Sequence, residues 1–338
     1  MMSFEESYVG RLRAIVGNRL LMTPGSRATI VDNNDRVLLQ MRGDNRKWGL
    51  PGGAAEENET IGNSAIREVE EETGLRILNP KPFGYFSMPD GNSIVYPNGD
   101  EVQPYVVDFL ATEWEGELRA DGIESLDLQW FPIDDTPNDM LPRHQLALAA
   151  FKKYRAGDGF QYMSGIAPGT SPNVPLGQPF SESHLGRLRQ LVGSRLLVMP
   201  SARILVVRDG THGLLQLRSD LNRWGLPAGF PEEGEPLDRT AVREAEEETG
   251  LKLLDATPFA VSSTPAIETV VYPNGDKIQA HTLNFFATRW EGEVTADEES
   301  LALEWIPLNA VPADMLPGHK RTVEAYLRYR DSGEFQQF

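Results

Sequence analysis

The sequence predicts a mixed α+β sandwich, present twice in tandem, and three observations carry that expectation. First, the chain of 338 residues matches itself at an offset of 176 positions, which becomes 175 beyond Asp121. SYVGRLRAIVGNRLL (Ser7–Leu21) returns as SHLGRLRQLVGSRLL (Ser183–Leu197), KWGLPGG (Lys47–Gly53) as RWGLPAG (Arg223–Gly229), and VYPNGDEVQ (Val95–Gln103) as VYPNGDKIQ (Val271–Gln279). A period that long is a whole domain rather than a solenoid unit. Second, short strand-type runs in each copy surround one central and one terminal helix-type run, the pattern of layered α+β packing. Third, SGIAPGTSPNVPLGQP (Ser164–Pro179) is rich in Gly, Pro and Ser and has no apolar period. It reads as a linker, able to reach roughly 50 Å when fully stretched. The expected division is a first domain over 1–163, a linker over 164–179 and a second domain over 180–338.

The elements of the first copy follow in order. Phe4, Val9, Leu12, Ile15 and Val16 share one helical face, which predicts a helix over Phe4–Val16. ATIVD (Ala28–Asp32) and RVLLQMR (Arg36–Arg42) read as strands paired across the Asn33–Asp35 turn. Thr60–Thr73 reads as a helix stopped by Gly74, which suits a left-handed C-cap. Strands are expected around Phe83–Met88, Gln103–Trp114 and Leu126–Ile133, and a last helix over Arg143–Tyr154.

Composition narrows the function classes. Hydrophobic residues make up 40% and charged residues 24%, enough to bury a core in each half. No apolar run approaches the ~20 residues of a membrane span, and MMSFEESYVGRLR has no stretch of the kind a secretory signal uses. The absence of cysteine excludes disulfides and zinc–thiolate sites and fits a reducing, cytoplasmic setting. A net charge of −18 repels a phosphate backbone, which argues against nucleic acid as a partner. A small phosphate-bearing molecule remains compatible if divalent cations bridge it to the acids.

Such acids are concentrated in REVEEETGL (Arg67–Leu75) and again in REAEEETGL (Arg243–Leu251). On a helix Glu68, Glu71 and Glu72 share a face, as do Glu244, Glu247 and Glu248. Crowded like charges are mildly destabilising alone, and a hard cation such as Mg²⁺ or Mn²⁺ reverses that sign. The surroundings are more specific than the acids. Gly53, Glu59, Arg67, Glu68, Val69, Glu71, Glu72, Gly74 and Leu75 fit G-x5-E-x7-R-E-U-x-E-E-x-G-U with U apolar. Gly229, Glu235, Arg243, Glu244, Ala245, Glu247, Glu248, Gly250 and Leu251 fit it again, with Ala245 the one small residue at an apolar position. Over nearly all of both halves the chain therefore resembles the Nudix hydrolase superfamily, whose fold is an α/β/α sandwich around a mixed sheet.

The resemblance implies a pyrophosphohydrolase acting on a nucleoside diphosphate linked to another group. It implies that Glu68, Glu71, Glu72, Glu244, Glu247 and Glu248 ligate Mg²⁺ or Mn²⁺, with Gly53 and Gly229 helping through their carbonyls. Arg67 and Arg243 would pair with Glu59 and Glu235 and hold the helix acids in place. A proton acceptor for the attacking water is expected in the loop before a late strand, at Glu124 and Glu299; Glu71 and Glu247 are the alternatives. Arg42 and Arg218 end a strand leading to the box and are candidate phosphate contacts. Trp48, Trp224, His144 and His319 read as packing residues, and Pro89 and Pro265 give a lean towards ADP-ribose-like substrates. A rival reading is a nucleotide sensor in which one domain is regulatory. The duplication suggests an internal pseudo-dimer of the two domains.

Overall fold

The structure, a computed structural model, describes residues 3–87, 93–96, 98–164 and 174–338. The chain divides into two compact units: Met1–Gly10, Thr23–Ser87 and Pro104–Met163 form one, and Arg11–Met22, Met88–Gln103 and Ser164–Phe338 the other. Most of the expected linker, 165–173, and Pro89 lie outside the described residues.

The first repeat runs α1 (Tyr8–Val16), β1 (Leu21–Ile30), β2 (Arg36–Arg42), β3 (Trp48–Gly49), β4 (Gly52–Ala54), α2 (Ile61–Thr73), β5 (Leu75–Ile77) and β6 (Lys81–Phe86). It continues with β7 (Ile94–Val95), β8 (Glu101–Ala111), β9 (Trp114–Gly116), β10 (Ser125–Pro132), α3 (Pro142–Arg155) and β11 (Gln161–Met163). The opening helix is shorter than expected because Ser7 interrupts it: Ser7 is extended, and its hydroxyl caps the Gly10 N–H at 3.0 Å. Residues Phe4–Glu6 before it form a separate 3-10 turn. The central helix starts and stops as expected, with Thr60 Oγ1 accepting from Asn63 N at 3.1 Å and Gly74 at φ 74°.

The expected pairing of the first two strands is corrected. Among the described residues the two runs meet at the turn in a single bridge, Val31–Val37, just past β1; β2 pairs with β10 and β3, whereas β1 pairs with β4. The chain thus feeds two sheets, ordered β11-β6-β8-β1-β4 and β10-β2-β3. Strand β1 is also longer than the apolar run predicts, because Thr23, Ser26, Arg27 and Thr29 are buried polar residues within it. Two of them show the layering. Ser26 Oγ meets Ser64 Oγ of α2 at 3.0 Å, while its neighbour Arg27 reaches the Arg143 carbonyl of α3 at 3.2 Å. Successive strand residues point to opposite faces, so α2 and α3 flank the sheet as a sandwich.

The second repeat runs α4 (His184–Val192), β12 (Leu196–Arg208), β13 (His212–Arg218), β14 (Arg223–Gly225), β15 (Ala228–Gly229), α5 (Leu237–Thr249), β16 (Lys252–Leu253) and β17 (Thr257–Ser262). It ends with α6 (Pro265–Glu268), β18 (Thr269–Val271), β19 (Lys277–Ala287), β20 (Trp290–Glu291), β21 (Ser300–Pro307), α7 (Pro317–Ser332) and β22 (Gln336–Gln337). Here β12 pairs in parallel with β19 and antiparallel with β13 and β15, which makes the sheet mixed. The core beside α7 gathers Leu205, Leu215, Phe259, Met315, Val323 and Tyr326. Among the described residues no helix is long and apolar enough to cross a membrane.

Candidate active site

Helix α2 carries its acids at the edge of an apolar face. Ile61, Ala65 and Val69 are buried against the sheet, and Glu72, one turn past Glu68, is drawn in with them at 2% exposure. Its Oε2 accepts the Gly52 N–H at 2.8 Å, which fixes the innermost carboxylate to the loop before the helix. Glu68 lies against Gly53 so closely that a Cβ there would come within 2.5 Å of its carboxyl carbon. Only glycine admits that approach.

Arg67 holds the rest. Its Nε and Nη2 meet both Glu59 oxygens at 2.9 and 3.0 Å, and Nη2 also donates to the Ala54 carbonyl at 2.9 Å. Its Nη1 donates to Glu68 at 2.7 Å and to Glu71 at 3.1 Å. The Glu59 pairing is the expected one, and the two helix carboxylates on the same guanidinium are additional. Glu70, on another face, pairs with the exposed Arg76 at 2.8 Å.

The second copy repeats this net. Arg243 binds both Glu235 oxygens at 2.9 and 3.0 Å, Glu244 at 2.8 Å, Glu247 at 2.9 Å and the Phe230 carbonyl at 3.0 Å. A Cβ on Gly229 would approach the Glu244 carboxylate to 2.1 Å. Two differences stand out. Glu248 Oε2 is buried without a hydrogen-bond partner. Glu247 accepts the backbone N–H of Gly177 at 2.7 Å, a contact from the stretch read as linker. Nothing in the sequence signals that contact.

The electrostatics follow from burial. Desolvation pushes the Glu68 carboxyl up to about 7 despite Arg67, and Glu72 up to about 8, with Glu68 adding repulsion. Burial raises Glu244 and Glu248 in the same way. Desolvation alone would lower Arg67, yet its Glu59 and Glu68 partners more than offset it and raise it. Among the described residues no three acidic side chains stand in ion-holding spacing; each arginine draws two helix carboxylates to itself. The donor set nevertheless fits a hard divalent cation. Three carboxylates per copy crowd one region, and the buried Glu248 Oε2 lacks any hydrogen-bond partner.

The remaining candidates divide clearly. Glu124 lies near enough to Glu71 and Arg42 to feel both, and loss of solvent followed by Asp121 holds its carboxyl above the ordinary range. Glu299 stands likewise, raised by desolvation against the pull of Arg218, with Asp297 adding repulsion. Arg42 and Arg218 each grip the aspartate two residues on: Arg42 bonds Asp44 at 3.0 and 2.9 Å, and Arg218 bonds Asp220 at 3.0 and 2.7 Å. Both therefore reach the site's edge already paired. His144 and His319 accept the Leu50 and Leu226 N–H groups at 2.8 Å through Nδ1, and burial holds both well below the usual histidine range. They are neutral struts for the Gly-Leu-Pro turn. Trp48 packs edge-on against Phe131 at 4.9 Å, and Trp224 packs against the core beside α7. Pro265 opens α6.

Both repeats are similar to known proteins. The family model described as NUDIX domain matches residues 22–151 and 198–326. The uncharacterized Nudix hydrolase YvcI of Bacillus subtilis (strain 168) is 32% identical over 111 residues, covering 32% of this chain and 66% of that protein. An ADP-ribose pyrophosphatase of Methanocaldococcus jannaschii is 27% identical over 132 residues, covering 38% of this chain and 72% of the relative. Among solved structures, a MutT NUDIX hydrolase from Burkholderia pseudomallei is 28% identical, covering 38% of this chain and 98% of that one, with a TM-score of 0.34. The chain spans just under two thirds of the length of YvcI.

Proposed function

The chain belongs to the NUDIX family, and on that premise we propose that it is a metal-dependent pyrophosphohydrolase with two sites. Its substrate would be a nucleoside diphosphate linked to a further group, with ADP-ribose the first candidate. The observation that carries this reading is the doubled net in which one arginine, Arg67 or Arg243, fixes a loop glutamate and two helix glutamates. The ADP-ribose lean rests on the position of Pro265 and on the Methanocaldococcus relative.

Glu68, Glu71 and Glu72 with the Gly53 carbonyl, and Glu244, Glu247 and Glu248 with that of Gly229, would hold Mg²⁺ or Mn²⁺. When bound, the ion supplies positive charge to the bridging phosphates and acidifies a water. The chain's own residues do the remaining work. Arg67 and Arg243 keep the helix acids oriented. Glu124 and Glu299 orient the attacking water and accept its proton, as general bases held above the usual carboxylate range. Arg42 and Arg218 exchange their aspartates for substrate phosphate oxygens. Water attacks one phosphorus, the bridging P–O bond breaks, and two phosphate-bearing products leave.

The test is nucleotide release from a panel of ADP-ribose, CDP-alcohols and nucleoside triphosphates, with and without Mg²⁺. Glu71→Gln and Glu247→Gln should each leave partial activity and the double variant none. Absence of metal-dependent release across the panel would defeat the reading. A second reading, in which the second domain binds nucleotide without cutting it, is favoured by the Gly177 contact on Glu247; Glu71→Gln alone would then abolish turnover. The division into domains at 1–163 and 180–338 and their pairing as a pseudo-dimer rest on the repeat. Scattering that shows two independent bodies would refute the pairing. Acidic charge supports a small-molecule partner rather than nucleic acid, and the cysteine-free sequence suits the cytoplasm.

A further inference from the structure

Two glutamines outside the box are fully buried beside the carboxylates. Gln40 on β2 and Gln216 on β13 are both 0% exposed. Each stands two residues before the arginine that ends its strand, so glutamine and arginine share a face. The opposite face of β2, with Val37 and Leu39, packs into the core beside α3. Each glutamine also meets a buried serine. Ser125 Oγ donates to Gln40 Oε1, and Gln216 Nε2 donates to Ser300 Oγ at 2.9 Å. Those serines directly follow Glu124 and Glu299 in the chain.

The other end of each amide is left over. Gln40 Nε2 has no hydrogen-bond partner, nor has Gln216 Oε1, and in the second copy Glu248 Oε2 is likewise unpartnered. A buried polar atom without a partner loses its hydration and gains nothing in return. A methionine or leucine would fill the same volume without that cost. A pure packing role thus leaves the amide unexplained in both copies. The neighbourhood of the free end supplies the reason: Gln40 lies beside the Glu72 carboxylate. In the second copy Ser300 Oγ, which accepts from Gln216, donates towards Asp297 Oδ1 at 2.8 Å and the Glu248 carbonyl at 3.2 Å, so the serine joins the loop to the box helix.

We propose that Gln40 and Gln216 are positioning residues that tie the innermost box glutamate to the loop bearing the proton acceptor. One end of each amide holds the serine next to Glu124 or Glu299. In the first copy the free Nε2 end serves the Glu72 carboxylate, and in the second the serine held by Gln216 reaches the Glu248 carbonyl at 3.2 Å. The glutamine then sets the spacing between the acid that binds and the acid that takes the proton. The loop is further tied to its strand by Gly43 N to Glu124 O and Ser219 N to Glu299 O, both at 2.8 Å. This inference rests on the hydrolase reading above.

The experiment uses the full chain carrying Glu247→Gln, so that the first site dominates. Gln40→Met and, separately, Ser125→Ala and Ser125→Thr are compared for Mn²⁺ affinity by electron paramagnetic resonance, for kcat and KM, and for thermal midpoint. Gln40→Met should weaken Mn²⁺ binding or kcat by about 10–100-fold, the usual scale for a group that orients a ligand. KM should stay within about twofold, the midpoint should be unchanged or higher, Ser125→Ala should follow the same direction and Ser125→Thr should recover. If Gln40→Met binds Mn²⁺ and turns over like its parent, the proposal is overturned. Should Gln40→Met fail to fold, the Ser125 pair decides alone. A parent that binds Mn²⁺ but releases no nucleotide defeats the hydrolase reading only, and the Mn²⁺ arm still judges the glutamine. A parent that binds no Mn²⁺ overturns both.

Discussion

Arg203 and Glu268, 65 positions apart, form a buried two-bond ion pair, Nη1–Oε1 at 3.1 Å and Nη2–Oε2 at 2.8 Å. In the first repeat the equivalent arginine, Arg27, pairs instead with Asp108 at 2.6 and 3.1 Å. The counterpart of Asp108 is Asn284, whose Oδ1 accepts from Arg203 at 3.3 Å. Each copy keeps one carboxylate for its buried guanidinium, but one draws it from strand β8 and the other from α6. Gly318 makes room for Glu268, since a Cβ there would stand 2.7 Å from its Oε1.

Moving the charge back should therefore be possible. Glu268→Gln leaves Arg203 buried without a carboxylate and should cost about 3–5 kcal/mol in urea unfolding of the second repeat. Adding Asn284→Asp to that variant should recover most of the loss. Hydrogen exchange across α6 and β18 should stay fast in the double variant, because the acid no longer anchors that segment. A Glu268→Gln chain as stable as its parent would show that the pair contributes nothing.

Arg67 makes five hydrogen bonds to four groups, and only a planar fork can do so. Arg67→Lys keeps the charge but reaches fewer partners. In the Glu247→Gln background it should lower activity or Mn²⁺ affinity about 10–100-fold with the fold retained by circular dichroism. Full activity in the lysine variant would mean that the acids orient themselves.

The raised carboxyls fix the sign of the pH dependence. Folding lifts Glu68 from 4.5 to about 7 and Glu72 from 4.5 to about 8. Between those limits the folded chain binds more protons than the unfolded one, so stability falls as pH rises through the window. Asp255, held low by its Thr288 and Arg289 hydrogen bonds against desolvation, titrates below it, while buried His144 and His319, held well below the usual histidine range, add stability as pH rises to about 6.5. The chelated protein should thus lose thermal stability from about pH 6.5 to pH 8, and added Mg²⁺ should restore it at pH 8 while releasing protons. A midpoint that rises over the same range in chelator would contradict the buried acids.

The central helix was legible because its signals are local. Thr60 and Gly74 mark its ends, and three acids at helical spacing mark one face. The Arg67–Glu59 pair was also legible, through the fixed spacing of the box. Other features depended on contacts distant in sequence. Strand β1 hides polar residues that are buried only because Ser64, Asp108 and Arg143 meet them across the fold. The separation of β1 from β2 depends on β4 and β10 offering longer ladders than the short turn does. Arg42 looked free for phosphate, whereas Asp44, only two residues on, already neutralises it. Gln40 and Ser125 lie 85 positions apart, and no local pattern joins them.

The two sites should differ in accessibility although their boxes carry the same acids. In the first, the Arg67 and Glu71 side chains are 24% and 30% exposed; in the second, Arg243 and Glu247 are 12% and 19% exposed. The Gly177 N–H on Glu247 accounts for part of that difference, because it spends a carboxylate lone pair and brings a chain segment against α5. Gly177 sits at φ 67°, which proline cannot adopt. Gly177→Pro therefore removes the donor and displaces the segment together. A hydrogen bond to a charged group is worth about 1.5–3 kcal/mol when shielded and less at an exposed position. In a Glu71→Gln background, Gly177→Pro should strengthen Mn²⁺ binding at the second site by about 3–10-fold, and in a Glu247→Gln background it should change nothing. Equal effects on both sites would mean that the segment acts on the chain as a whole rather than on Glu247.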